Sequence, residues 1–171
     1  DGDAVDDLVE VVAGDDPTNA RPSLIAEAGT LAVDEGDLAE VGGALGDAEG
    51  DPVTLTASSG TIVDHGDGTW TWSLQTTDGP SESRTVTIVA EDAGGARTAS
   101  VALSVANVAP TADVGPDATA YEHAPFTLTA AGFGDPGTGD THTATIAWGD
   151  GTTSAGSIDA GTGAVGCRKW S

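Results

Sequence analysis

Apolar and polar residues alternate along several short segments of this chain. Trp70, Trp72 and Leu74 share one face of such a segment, and Thr and Ser occupy the positions between them. Period-two alternation is typical of a β-strand with one face on a hydrophobic core. The same pattern predicts further strands around Leu31–Val33, Val53–Ala57, Val86–Ala90 and Val101–Val105.

Turn-forming residues separate these segments, with Asp-Gly at Asp67-Gly68 and Asp78-Gly79. Asp-Gly is favoured where a tight hairpin needs positive φ. Short strands at this spacing predict an all-β fold of tandem immunoglobulin-like β-sandwiches. Two alternating segments, Leu8–Val12 and Val101–Val105, are each followed by a Pro-Thr linker. Because proline cannot donate to a strand ladder, each linker is expected to end a module.

These two linkers, together with the change in composition after Gly166, divide the chain into four parts. Residues 1–20 are expected to be the tail strand of an upstream module with its linker, and residues 21–107 a complete sandwich. Residues 108–166 are expected to form a second, partial sandwich, and residues 167–171 an atypical C-terminal tail.

The chain carries 28 acidic and five basic residues, a formal net charge of -23. Such a charge repels nucleic acid and anionic lipid and attracts cations. No stretch approaches the roughly 18 to 20 apolar residues of a membrane helix, so neither nucleic-acid binding nor membrane insertion is expected. Cys167 is the only cysteine, which excludes an internal disulfide and a zinc site built from cysteine pairs.

Sequence motifs for catalysis are missing. Neither a Gly-x-Ser-x-Gly elbow nor a His-Glu-x-x-His helix occurs. His65, His123 and His142 lie far apart beside turn residues, where surface or turn roles are expected. The sequence therefore predicts a protein that is not an enzyme.

Acidic loops are the better functional candidates. Asp47, Glu49 and Asp51 alternate within one turn, and Glu91 and Asp92 end a predicted strand. Calcium takes six to eight oxygen ligands, including carboxylates from different loops. No cofactor is required by the sequence, but these residues suggest calcium. The alternative is an acidic surface that is simply solvated.

The tryptophans have two interpretations. Trp70 and Trp72 lie on one face, so they either fill the core or form an exposed strip that binds carbohydrate. Trp148 ends a strand before the turn Gly149-Asp150-Gly151. It is expected to be a core aromatic, with Asp150 holding the turn through its side chain; stacking on a sugar is the alternative.

Three segments carry a resemblance to a known family. Trp148-Gly149-Asp150-Gly151-Thr152, with the joint at 107–111 and the strand at 126–130, resembles the polycystic kidney disease (PKD) module. The first unit, through residues 66–72 and 85–88, is similar to bacterial immunoglobulin-like or cadherin-like repeats that alternate with PKD modules in large surface proteins. The chain departs from the PKD pattern after Gly166, where a His-x-Tyr segment and two valine-rich strands are expected.

The resemblance implies a secreted, extracellular or cell-surface module that is structural or adhesive and acts as a spacer or display unit. Its implied partners are neighbouring repeats of the parent chain, and a polysaccharide or a cell-surface protein. One alternative is a carbohydrate-binding accessory module of a secreted hydrolase. Another is an acidic surface layer that depends on molar salt rather than on calcium.

Overall fold

The computed structural model describes residues 19–121 and 123–169. The predicted strand at Leu8–Val12 lies outside these residues. Within them every regular element is a β-strand, which confirms the all-β fold class. The chain divides into two compact units between Asn107 and Val108, hereafter unit 1 and unit 2. Among the described residues, no helix has the length and hydrophobicity to cross a membrane.

The described part of unit 1, from residue 19 onward, contains eight strands. They are β1 Ser23–Ala26, β2 Thr30–Asp34, β3 Leu38–Gly46, β4 Thr54–Ala57, β5 Thr61–Asp64, β6 Thr69–Gln75, β7 Arg84–Asp92 and β8 Gly95–Ala106.

The strands of unit 1 form two four-stranded sheets, in the orders β1-β3-β6-β5 and β2-β8-β7-β4. Neighbouring strands are antiparallel except β2 and β8, which run parallel. In an immunoglobulin-like sandwich, strands A, B, E and D form one sheet and C, F and G the other. Strands β1, β3, β6 and β5 take the first set of positions, and β4, β7 and β8 the second. Unit 1 is therefore an immunoglobulin-like β-sandwich.

The core of unit 1 lies between these sheets and follows the predicted alternation. On β7 and β8 the inward-facing residues are almost completely buried: Val86, Ile88, Ala90, Val101, Leu103 and Val105. On β6 the indoles of Trp70 and Trp72 are both buried. Strand β3 supplies small residues opposite these indoles, since Val41 pairs with Trp72 and Gly43 with Trp70.

The described part of unit 2 contains five strands in one sheet, ordered β11-β12-β13-β10-β9. They are β9 Thr111–Asp113, β10 Phe126–Gly134, β11 Ala144–Ala147, β12 Thr153–Ile158 and β13 Ala164–Lys169.

Part of the atypical C-terminal tail expected at residues 167–171 lies in the sheet of unit 2. Cys167, Arg168 and Lys169 belong to β13 and pair with Leu128, Thr127 and Phe126 of β10. Their backbones continue the antiparallel pairing of β13 with β10 as far as Lys169.

Candidate cation-binding site

One end of unit 1 brings together three chain segments. They are the segment that enters β1, the loop between β3 and β4, and the turn between β7 and β8. In the β3–β4 loop, Asp47 Oδ1 accepts the backbone N–H groups of Glu49 at 3.1 Å and Asp51 at 2.8 Å. These hydrogen bonds, the one from Asp51 above all, lower the pKa of Asp47 below its ordinary 3.8. Asp47 is therefore an oriented, ionised carboxylate at neutral pH.

Asp92 holds the β7–β8 turn in a similar way. Its Oδ1 accepts the backbone N–H groups of Gly94 at 2.8 Å and Gly95 at 3.0 Å. The side chain of Asp92 is a further, smaller cause of the lowered pKa of Asp47. Each of the two carboxylates keeps its second oxygen, Oδ2, buried and without a hydrogen-bond partner among the described residues.

The entering segment adds a third oxygen of this kind. Asn19 Nδ2 donates to Asp51 Oδ2 at 2.9 Å, and the backbone N–H of Ala20 donates to Glu49 Oε2 at 3.3 Å. Asn19 Oδ1 is buried, and the described part of the chain offers it no hydrogen-bond donor. The segment also packs closely on the β7–β8 turn, because a Cβ added at Gly94 would lie 2.7 Å from the carbonyl oxygens of Asn19 and Ala20.

The combination of these groups has a specific chemical consequence. A buried polar atom without a partner costs about 1–3 kcal/mol, and neighbouring carboxylates repel each other unless a cation or a proton lies between them. Asn19 Oδ1, Asp47 Oδ2 and Asp92 Oδ2 are all oxygen atoms of the kind that a hard cation accepts. This group, Asn19 with Asp47, Asp51 and Asp92, is called the entry site below.

Four of the five acidic residues that the sequence suggested for calcium lie at this end of unit 1. Asp47, Asp51 and Asp92 belong to the entry site. Glu49 lies beside it, since its backbone N–H donates to Asp47 and its side chain accepts the backbone N–H of Ala20. Glu91 does not join them: it is exposed, and adjacent strand residues point to opposite faces of a sheet. Asn19 was not predicted as part of a site. It directly follows a Pro-Thr linker at the start of a module, and from this position its side chain reaches the β3–β4 loop.

The carbohydrate-binding strip suggested for Trp70 and Trp72 needs correction. These side chains are 1% and 0% exposed. Their ring nitrogens donate to backbone carbonyls, Trp70 to Ala44 at 3.2 Å and Trp72 to Ser59 at 2.6 Å. An indole enclosed in this way has no free face for a sugar. Both residues are core residues of unit 1.

The turn at Trp148-Gly149-Asp150-Gly151 is held by Asp150, whose Oδ1 accepts the backbone N–H and the hydroxyl of Thr152 at 3.0 and 2.6 Å. The ammonium group of Lys169, followed by the groups of Thr152, lowers the pKa of Asp150 far below its ordinary value. Lys169 Nζ also lies 5.4 Å from the centroid of the Trp148 ring, and Phe126 contacts that ring edge-on. Trp148 is half-buried rather than a fully enclosed core residue.

Comparisons with known proteins give limited information. No protein-family model and no curated protein matches this chain. Among solved structures, the titin M10 complex with an obscurin-like 1 immunoglobulin domain is similar at a TM-score of 0.42 and 18% identity, covering 49% of this chain and 92% of that one. Titin domain M7 gives 0.40 and 17%, covering 52% and 97%. The titin fragment I67–I69 gives 0.42 and 11%, covering 87% of this chain and 55% of that one. At these values the similarities carry no argument about function, and the immunoglobulin-like assignment of unit 1 rests on its strand order.

Proposed function

We propose that this chain is a non-catalytic structural module of an extracellular or cell-surface repeat protein, in which calcium at the entry site stiffens the start of unit 1. The observation that carries the proposal is the set of three buried oxygens, on Asn19, Asp47 and Asp92, to which no described residue donates a hydrogen bond. They belong to three different segments of the chain, so one ion would cross-link all three.

Calcium suits the entry site better than other common cations. All of its ligand atoms are carboxylate or amide oxygens, and calcium accepts six to eight of these in flexible geometry. Magnesium requires near-ideal octahedral geometry and usually keeps several waters. Asp51 and nearby backbone carbonyls can supply further oxygens. The net charge of -23 raises the local concentration of any cation.

The mechanical role follows from the position of the site. Asn19 and Ala20 are the residues through which the chain enters β1, and Asn19 Nδ2 already contacts Asp51. An ion bound to Asn19, Asp47 and Asp92 would fix this entering segment against two loops of the sandwich. Such a joint would hold the preceding residues in one direction, as a spacer or display unit requires. With a single cysteine, the chain has no disulfide of its own to do so.

The resemblance of the sequence to PKD modules and to bacterial surface repeats supports the extracellular part of the proposal. Weak calcium sites are filled at extracellular concentrations, so even a weak entry site would be occupied there. The partners proposed are neighbouring repeats of the parent chain and a cell-surface protein. Polysaccharide binding loses its best candidates in unit 1, since Trp70 and Trp72 are enclosed in the core.

The decisive experiment is a thermal melt in millimolar calcium and in EDTA, with magnesium and matched ionic strength as controls. A ligand at 100 times its dissociation constant stabilises the folded state by about 2.7 kcal/mol, which corresponds to several degrees for a domain of this size. We expect a calcium-specific rise in the melting temperature of unit 1. Equal stabilisation by sodium chloride would instead indicate a salt-dependent acidic surface.

Variants of two neighbouring residues sharpen this test. Asp92→Asn keeps a side-chain oxygen that can accept the N–H groups of the β7–β8 turn, but it removes one negative charge from the entry site. Glu91→Gln also removes one negative charge, at the neighbouring position outside the entry site. In EDTA we expect Asp92→Asn to be at least as stable as the wild type, because the repulsion with Asp47 is gone. In calcium the wild type and Glu91→Gln should both be more stable than Asp92→Asn. If Asp92→Asn gains as much from calcium as Glu91→Gln does, the entry site is not the calcium site.

A further inference from the structure

A second group of potential metal ligands lies in unit 2, in the loop between β10 and β11. Asp135, Asp140 and His142 each offer one ligand atom, and these atoms all lie within 4.8 Å of one another. Asp135 directly follows β10 and His142 lies two residues before β11, so the two strand ends hold the loop at both sides. His142 was predicted to have a surface or turn role, because nothing in its spacing from Asp135 along the sequence indicates that the two side chains meet.

Two of the three potential ligands, Asp135 and His142, are held in place by hydrogen bonds. Asp135 has a side chain only 3% exposed, and its Oδ1 accepts the backbone N–H of Gly137 at 2.7 Å. Its Oδ2 lies 2.9 Å from Nε2 of His142. The hydrogen bond with His142, and then that with Gly137, lowers the pKa of Asp135 below its ordinary 3.8, so this carboxylate is ionised at neutral pH.

The imidazole is held by a ring contact as well. The rings of Phe133 and His142 have centroids 4.4 Å apart and planes inclined at 43°. This contact limits rotation of the His142 ring, whose side chain remains 18% exposed. An open cleft lined by Gly137, Thr138 and Thr162 adjoins the three ligands. Water molecules could therefore reach an ion there and complete its coordination.

We propose that Asp135, Asp140 and His142 bind a divalent transition-metal ion, with zinc as the representative. Imidazole together with carboxylate suits zinc and its neighbours in the first transition row, whereas calcium prefers oxygen ligands alone. Ligand atoms at about 2.0–2.1 Å from one zinc ion lie about 3.3 Å apart in a tetrahedron. The 2.9 Å between Asp135 Oδ2 and His142 Nε2 is close to this spacing. This site is chemically distinct from the entry site of unit 1.

The test is a calorimetric titration of the full chain with zinc chloride, with calcium present in millimolar excess to fill the oxygen-only site. Every protein carries Cys167→Ser, because the lone thiol is itself a zinc ligand. We expect one zinc ion per chain. Because loss of a supporting partner alone costs about 10–100-fold in metal affinity, His142→Gln should weaken zinc binding at least tenfold.

The other two histidines supply matched controls, since His65→Gln and His123→Gln make the same chemical change outside the site. Both should bind zinc as the parent protein does. Cobalt gives an independent readout: its visible absorption in the parent protein should show nitrogen and oxygen coordination and should be lost in Asp140→Asn. That measurement decides the matter even if His142→Gln fails to fold. Zinc affinity unaffected by His142→Gln, or no binding of zinc and cobalt at millimolar concentration, would overturn the proposal.

Discussion

At the scale of single residues, the close approach of Gly43 to Trp70 is the most demanding contact of the core. A Cβ at Gly43 would lie 2.1 Å from the carbonyl oxygen of Ile25 and 2.4 Å from Cζ2 of Trp70. Overpacking a well-packed core costs about 1–3 kcal/mol. We therefore expect Gly43→Ala to lower the free energy of unfolding by about 3 kcal/mol or more. Urea unfolding followed by circular dichroism measures the change.

The neighbouring glycine is the control for this prediction. A Cβ at Gly42 would meet the end of the Glu27 side chain at 3.3 Å, which can move, and the carbonyl oxygen of Trp70 at an ordinary contact distance of 3.5 Å. Gly42→Ala should therefore change the stability by no more than about 0.5 kcal/mol. Equal destabilisation by the two variants would mean that the indole of Trp70 is not packed against β3 as described.

At the scale of elements, the hairpin turn of β5 and β6 allows a prediction about pH. Asp67 Oδ1 accepts the hydroxyl of Thr69 at 2.6 Å and its backbone N–H at 3.0 Å. These bonds, the hydroxyl first, lower the pKa of Asp67 below its ordinary 3.8. A lowered pKa in the folded state gives stability that is present above about pH 4 and is lost as the pH falls through the folded value.

We therefore expect the stability difference between the wild type and Asp67→Asn to be present at neutral pH and to shrink below about pH 4. Urea unfolding at a series of pH values measures this difference, so that the general effect of the negative net charge cancels in part. Glu40→Gln, which removes one charge at an exposed position of β3, is the control. A difference that stays constant down to pH 2 would show that the turn does not depend on an ionised Asp67.

The same elements show what the sequence could and could not predict. Strands β6, β7 and β8 were predicted because large apolar residues alternate along them. Strand β3 was missed because its inward positions include the small residues Ala39 and Gly43. Gly43 leaves room for the indole of Trp70, its pairing partner on β6. Asp47 and Asp92 were suggested as ligands from their loops alone. Their meeting with Asn19 depends on how the sandwich folds, which no local pattern records.

At the scale of the whole molecule, the chain divides into two units, and the two proposed metal sites belong to different units. Calcium should therefore slow amide hydrogen exchange in unit 1, above all in the β3–β4 loop and around β7 and β8. Zinc should slow it in unit 2, around the β10–β11 loop. Local exchange reports the free energy of local opening, and ligand binding adds to that free energy only where the ligand is released by the opening.

Mass spectrometry of peptic fragments after exchange can separate the two effects in one experiment. The expected pattern is two independent responses: calcium alone protects unit 1, zinc alone protects unit 2, and both ions together give the sum. The control is the double variant Asp92→Asn with His142→Gln, which should respond to neither ion. Protection of both units by calcium alone would contradict the expected independence of the two units. It would show that the units share one cooperative folding transition, in which an ion bound to either stabilises the whole chain.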